Sequence, residues 1–185
     1  PDITVDNADQ VEFLDAPPWD SELDLTNHTA EVELFELSTG ASRVGVSTTA
    51  TVVSVREDSG FIQRCTECRR VLRDGACAEH GPNDGNTDIR LRLAIDDGRS
   101  SVSLLTNKDA TLSLLGMTET ELQDTVNDLG QVAFVQSLRG KMLGKTINAS
   151  GRTIVDEQGA MMLADHAAMV EEDAGLRATE IRAQW

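Results

Sequence analysis

Three cysteines and a histidine within a short segment constrain this chain more than any other feature. The segment reads Arg64-Cys65-Thr66-Glu67-Cys68-Arg69-Arg70-Val71-Leu72-Arg73-Asp74-Gly75-Ala76-Cys77-Ala78-Glu79-His80-Gly81, a C-x2-C-x8-C-x2-H pattern that holds all 3 cysteines of the 185 residues. Each pair offers two ligands from one tight turn, and a short ribbon brings the pairs together. Three thiolates and one imidazole at this spacing suit a tetrahedral Zn2+ ion. Cys65, Cys68, Cys77 and His80 are therefore the expected ligands of one structural Zn2+, in a ribbon spanning 64–81. Gly81 leaves room for backbone amides that point at the sulfurs, while Arg69 stands where the first turn would more usually carry Gly.

Four protein ligands leave no open position for an activated water, so the expected ion is structural rather than catalytic. It folds a loop too short and too polar to fold alone. A disulfide framework would leave one Cys over, and a redox CxxC would open a helix after a strand. A deaminase sets its general-acid Glu beside a ligating His on a helix, whereas Glu79 lies inside the second turn. No P-loop, GxGxxG, HExxH or Ser/His/Asp set is present, and His28 and His166 lie far from the cluster. The expectation is a protein that is not an enzyme.

Strand patterns flank the ribbon. Val44–Arg56 is rich in β-branched residues. Across Asn86–Asp97, Ile89, Leu91, Leu93 and Ile95 alternate with Arg90, Arg92 and Ala94, the period of a half-buried strand. Asp96-Asp97-Gly98 supplies a turn, and Ser101–Thr106 returns as the next strand. Thr118 and Glu121 form a capping box, Met117 and Leu122 a hydrophobic staple, and Leu122, Val126 and Leu129 recur at helical spacing. Gly130 kinks or ends that helix, and Gln131–Leu143 is helical again, with Phe134 in the core. Lys145–Val155 and Ala160–Ala164 read as two last strands around a turn at 156–159. Val32, Leu34 and Leu37 suggest a short strand or helical turn. The order is strand, insertion, strand, strand, helix, strand, strand. That predicts a mainly β fold with helices: a five-stranded OB barrel with the zinc ribbon between strands 1 and 2 and a helix between strands 3 and 4. The expected organisation is an acidic, disordered arm at 1–30, the barrel at 31–166 and a C-terminal helix at 167–185.

Charge adds a functional hint. The formal net charge is −16, from 32 acidic and 16 basic residues, and only Lys108, Lys141 and Lys145 are lysines. Such a surface suits a salt-rich cytoplasm, where self-repulsion is screened, though ordinary acidic proteins share it. The arm holds eight acids and no cation, while residues 43–99 hold nine arginines against nine acids. That neutral, Arg-rich middle reads either as an anion-facing surface or as Arg–carboxylate pairing across a sheet. The arm can dock on a basic partner, fold over the chain's own groove, or act as a solvated tail. No apolar run reaches a membrane span and no signal peptide opens the chain, so the expectation is a cytoplasmic protein without a membrane partner.

Ser59-Gly60-Phe61-Ile62-Gln63-Arg64-Cys65, Cys77-Ala78-Glu79-His80-Gly81, Asp88-Ile89-Arg90-Leu91-Arg92, Ile95-Asp96-Asp97-Gly98 and Val155-Asp156-Glu157-Gln158-Gly159-Ala160 together resemble the zinc-bearing OB domain of the replication protein A family, most closely its archaeal members. The resemblance covers about residues 31–166, and the acidic, Lys-poor surface fits a halophilic source. It implies a nucleoid-associated protein that binds single-stranded DNA in replication, repair and recombination, without catalysis. Other subunits of the same family, or replication and repair proteins, would be its partners. OB barrels bind a strand through a cationic groove with stacking side chains. The expected contacts are Arg56, Phe61, Arg64, Arg90, Arg92, Lys145 and Arg152. Phe61 either stacks a base or packs ribbon on barrel; Arg90 and Arg92 either face phosphates or pair with neighbouring acids. Both Trp lie in the arms and there is no Tyr. Few stacking residues leave a second reading open: an assembly module, oligomerising through its C-terminal helix, with little DNA affinity of its own.

Overall fold

The alternating residues Ile89, Leu91, Leu93 and Ile95 are at most 2% exposed and belong to one hydrophobic core. The structure, a computed structural model, describes residues 12, 15, 29–156, 159–171, 179, 182 and 183. Most of the expected acidic arm, the tip of the 156–159 turn and most of the expected C-terminal helix lie outside the described residues. The elements are β1 (Ala30–Glu31), α1 (Leu34–Thr39), β2 (Arg43–Val55), β3 (Gly60–Arg64), β4 (Ala76–Cys77), β5 (Gly81–Pro82), β6 (Asn86–Arg90), β7 (Arg92–Asp96), β8 (Ser101–Thr106), α2 (Lys108–Leu115), α3 (Glu119–Leu129), α4 (Gln131–Met142), β9 (Thr146–Asp156) and β10 (Gly159–Met169).

β2 pairs antiparallel with β7, β7 with β8, β8 runs parallel to β10, β10 pairs antiparallel with β9, and β9 returns to β2. The circuit is closed: this is the expected five-stranded OB barrel, with the Cys/His ribbon between its first strand, β2, and its second. Closure leaves no open barrel edge. Helices α2 to α4 connect the third strand to the fourth, and α4 buries Phe134, Val135, Leu138 and Met142 beneath the barrel. Among the described residues no helix is long and apolar enough to cross a membrane.

Several expected boundaries move. The strand read over Asn86–Asp97 is two segments broken at Leu91, because β6 pairs with the ribbon's β3 while β7 pairs inside the barrel. Leu91 is held at the break by its N–H to Thr106 Oγ1 at 2.9 Å and by its carbonyl, which accepts from the Thr106 N–H at 3.0 Å. The last strand does not stop at Ala164 but continues to Met169, past a bulge between Ala164 and His166, so Ala167–Met169 are strand where helix was expected. Helix α2 was not anticipated. It starts one residue after β8, with the Asn107 side chain accepting from the Ala110 N–H at 2.8 Å. Gly130 ends α3 and opens α4, and the Thr118–Glu121 capping box is present as read. Leu129, placed on the apolar stripe, is 49% exposed.

Candidate metal centre and adjoining groove

The ribbon brings the four expected ligands to one point. The donor atoms of Cys65, Cys68, Cys77 and His80 all lie within 4.8 Å of one another. His80 Nδ1 is 3.5 Å from Cys65 Sγ and 3.6 Å from Cys77 Sγ, and Cys68 and Cys77 sulfurs are 3.6 Å apart. A tetrahedron with bonds of about 2.3 Å has edges of about 3.8 Å, so the spacing fits a bound ion. No disulfide joins the three cysteines.

Local backbone builds this geometry. Arg69 takes a left-handed φ of 60°, the same turn conformation that Gly81 adopts at 69° after the second pair. The Arg69 N–H donates to the Cys65 carbonyl at 3.0 Å, and the Cys65 N–H donates to the Arg70 carbonyl at 2.8 Å. Amides then point at sulfurs. The Glu79 N–H, then that of His80, holds the Cys77 thiol down to about 6. The Cys68 N–H does the same for Cys65, against its burial. The Arg70 amide favours the Cys68 thiolate, yet burial and the two other sulfurs together push that thiol up. Hydrogen bonds to Cys77 and Cys65 raise the His80 pKa. With Nδ1 among the sulfurs, His80 Nε2 faces Glu67 Oε2 at 3.8 Å, the carboxylate partner that commonly orients a metal-bound imidazole. Leu72 is the one non-ligand residue in the ribbon's buried cluster. An ion at this centre would therefore serve as the ribbon's core.

A cleft of about 890 Å3 lies where the ribbon meets the barrel. Val71–Gly75 of the ribbon form one wall, β3 and β6 another, and Leu105 and Met161 the barrel floor. The connection into it is locked. Ser59 is fully buried; its Oγ accepts from the Arg92 N–H at 3.0 Å, and its carbonyl accepts from Gln131 Nε2 at 2.5 Å. Gly60 takes φ 109°, a conformation that side chains rarely adopt, and a Cβ there would sit 2.7 Å from Gln131 Nε2 and push it off the Ser59 carbonyl.

Arg90 and Arg92 both line the cleft, and both engage Asp58, at 2.8 and 3.4 Å. The pairing alternative thus holds for both. Asp58 is a single carboxylate shared by two guanidinium groups, and it remains 45% exposed. Arg90 is the deeper cation, its side chain 14% exposed and its Nε buried with no hydrogen-bond partner among the described residues. Burial lowers its pKa, Asp58 opposes that shift, and the like charges of Arg64 and Arg92 reinforce it, so three cations crowd one place.

The other expected contacts separate. Phe61 lines the cleft and also packs against the barrel core. Arg64 is committed to the ribbon, paired with Asp88 and donating to the Arg69 carbonyl at 3.1 Å. Arg56 lines a neighbouring cavity of about 450 Å3. Arg152 is exposed on β9, and the pairings Arg92↔Leu105, Leu105↔Leu163 and Leu163↔Arg152 place it in one row with Arg92 on the outer barrel face. Lys145 is apart from the cleft, in a separate cavity with Lys141 and Met169. Arg73 on the ribbon wall and Arg139 in the neighbouring cavity were missed. Arg73 was hidden among ribbon residues read only for metal ligation. Arg139 reaches Val55 across 84 positions of sequence, a distance no local pattern signals.

No family model and no curated protein sequence matches the chain. Among solved structures it is similar to a replication protein A heterotrimer bound to ssDNA, with 18% identity and a TM-score of 0.49, covering 78% of this chain and 36% of that one. The chain therefore spans just over a third of that relative's length. It is also similar to a chain of yeast RPA bound to ssDNA (18% identity, TM-score 0.44, covering 75% and 85%) and of the S. pombe Stn1–Ten1 complex (7% identity, TM-score 0.33, covering 75% and 68%).

Proposed function

We propose that this chain is a non-catalytic single-stranded DNA-binding module of the replication protein A type. Its ribbon carries one structural Zn2+ on Cys65, Cys68, Cys77 and His80, and its partners are further subunits or replication and repair proteins. Zn2+ would supply no chemistry beyond folding: the four ligands complete a tetrahedron. The observation that carries the reading is the pair Arg90 and Arg92, two cleft-lining guanidinium groups that share one half-exposed carboxylate, Asp58. A phosphate displacing Asp58 from Arg90 and Arg92 gains a planar donor fork and returns Asp58 to water. Arg73 faces the same space from the ribbon.

Bases would lie on an aliphatic floor. Leu105, Met161 and Leu163 are only partly buried, whereas their strand neighbours Leu104, Met162 and Ala164 are at most 1% exposed and face inward. Phe61 is the aromatic residue at the cleft wall.

The test is oligo-dT binding over a salt series. Wild type should bind, and Arg90→Ala/Arg92→Ala should weaken binding and flatten the log–log salt slope by about 1.4, the share of two phosphates. Asp58→Asn should tighten it. Absence of binding, together with stable dimers or trimers by light scattering, would replace this reading with the assembly module.

A further inference from the structure

We infer that the DNA path does not end at Arg92 but turns into the neighbouring cavity, where Arg56 and Arg139 take the next phosphates. This rests on the groove reading above and extends its footprint. The two cavities share Glu57, Asp58 and Arg92 as a common wall. Glu57 and Asp58 sit on a tight turn closed by the Ser59 N–H on the Arg56 carbonyl at 3.1 Å, so the two spaces adjoin across these two acidic side chains. Beyond them, Arg56 and Arg139 flank the smaller space.

Arg139 is prepared for an anion. Its Nε donates to the Val55 carbonyl at 3.3 Å, which fixes the guanidinium plane on the barrel strand. Its terminal nitrogens are left with Glu57 at 3.7 Å, a contact too long for a hydrogen bond, to a side chain 90% exposed. A guanidinium held by its Nε while its outer nitrogens stay available is disposed to bind phosphate oxygens bidentately. Arg56 lines the same space, and its backbone N–H is tied to the Arg92 carbonyl at 2.9 Å, so its main chain is anchored to the strand that carries Arg92. A lone inorganic anion would have little reason to choose this space over the larger cleft. A strand already seated on Arg90 and Arg92 would meet it next.

The experiment compares two dT oligomers, roughly 4 and 10 nucleotides long, within the range of single OB footprints. Wild type and Arg56→Gln/Arg139→Gln are titrated by fluorescence anisotropy across a salt series, with thermal melts as a folding control. Gln at 139 retains a donor for the Val55 carbonyl. Wild type should bind the longer oligomer at least tenfold more tightly. The double variant should keep wild-type affinity for the short oligomer, lose most of the gain on lengthening, and show a salt slope shallower by about 1.4 on the longer one. Equal wild-type affinity for both lengths would overturn the extended path while leaving the groove intact. So would a variant that weakens both lengths alike. No binding of either length by folded wild type would overturn the groove reading, and the extension with it.

Discussion

At the scale of the residue, Arg69 concentrates the tension between sequence and structure. Its φ of 60° is the conformation that Gly81 adopts in the second turn, and a side chain there costs about 1–2 kcal/mol. The turn is kept because Cys68 must present its sulfur to the other ligands. Arg69→Gly should therefore tighten Zn2+ binding roughly fivefold, the equivalent of about 1 kcal/mol, measured by competition with a chromophoric chelator. Arg69→Ala serves as control: it removes the same charge while keeping the strain, and should not tighten binding. That these four side chains come together was legible from spacing alone, because two short turns each carry two of them. Glu67 as the partner of His80 was not read, since only the fold shows that Nδ1, rather than Nε2, faces the sulfurs. Arg90 and Arg92 were placed on the correct face by alternation, but Asp58, which lies 32 residues before Arg90, was beyond any local pattern.

At the scale of the element, short helices depend on groups from elsewhere. Helix α1 has six residues and receives no cap from its own N-cap residue, Glu33. Instead the Leu34 N–H donates to Asp97 Oδ2 at 2.9 Å, and Asp97 Oδ1 accepts from the Arg99 and Ser100 amides at 2.9 Å each. One carboxylate thus closes the β7–β8 turn and caps a helix 63 residues away. Burial pushes the Asp97 carboxyl up, but these amides prevail and hold it below the usual carboxylate range. A depressed folded pKa contributes stability above the unfolded value of about 3.9 and loses it as pH falls through the folded value. Asp97→Asn should cost about 1–2 kcal/mol at pH 7 and progressively less as pH falls through the folded value, read from urea midpoints over an acid pH series. The turn itself was readable from Asp96-Asp97-Gly98; its second duty was not, because a cap supplied through space leaves no trace in the helix's own residues. Helix α2 escaped for a related reason: eight residues following directly on a strand leave little room for a helical period to emerge.

At the scale of the whole molecule, there are two cores with different sources of stability. The barrel core runs from Leu34 to Ala167 and is aliphatic apart from Phe134, while the ribbon's buried cluster is three cysteines and Leu72. Chelation should release the ribbon and spare the barrel. By hydrogen exchange, amides of residues 65–81 should lose protection while those of Val52, Leu93 and Ile147 keep theirs. Because Val71–Gly75 form a wall of the cleft, oligonucleotide affinity should fall as well. Salt acts on the same molecule in two opposite directions. With a net charge of −16, the folded chain repels itself, and raising salt from 0.1 to 1 M shortens the screening length from about 10 to about 3 Å. The Tm should therefore rise over that range. Each phosphate contact, by contrast, releases counterions on binding and so weakens in salt, with a log–log slope of about −0.7 per phosphate. The aliphatic floor of Leu105, Met161 and Leu163 carries no such penalty, since burial of apolar surface is indifferent to screening and is strengthened by salting-out ions. Met161→Ser/Leu163→Ser should accordingly cost proportionally more affinity at 1 M salt than at 0.1 M, whereas Arg90→Ala/Arg92→Ala should cost less. If the two pairs of substitutions lose affinity in a fixed ratio at every salt concentration, the bases do not rest on that floor.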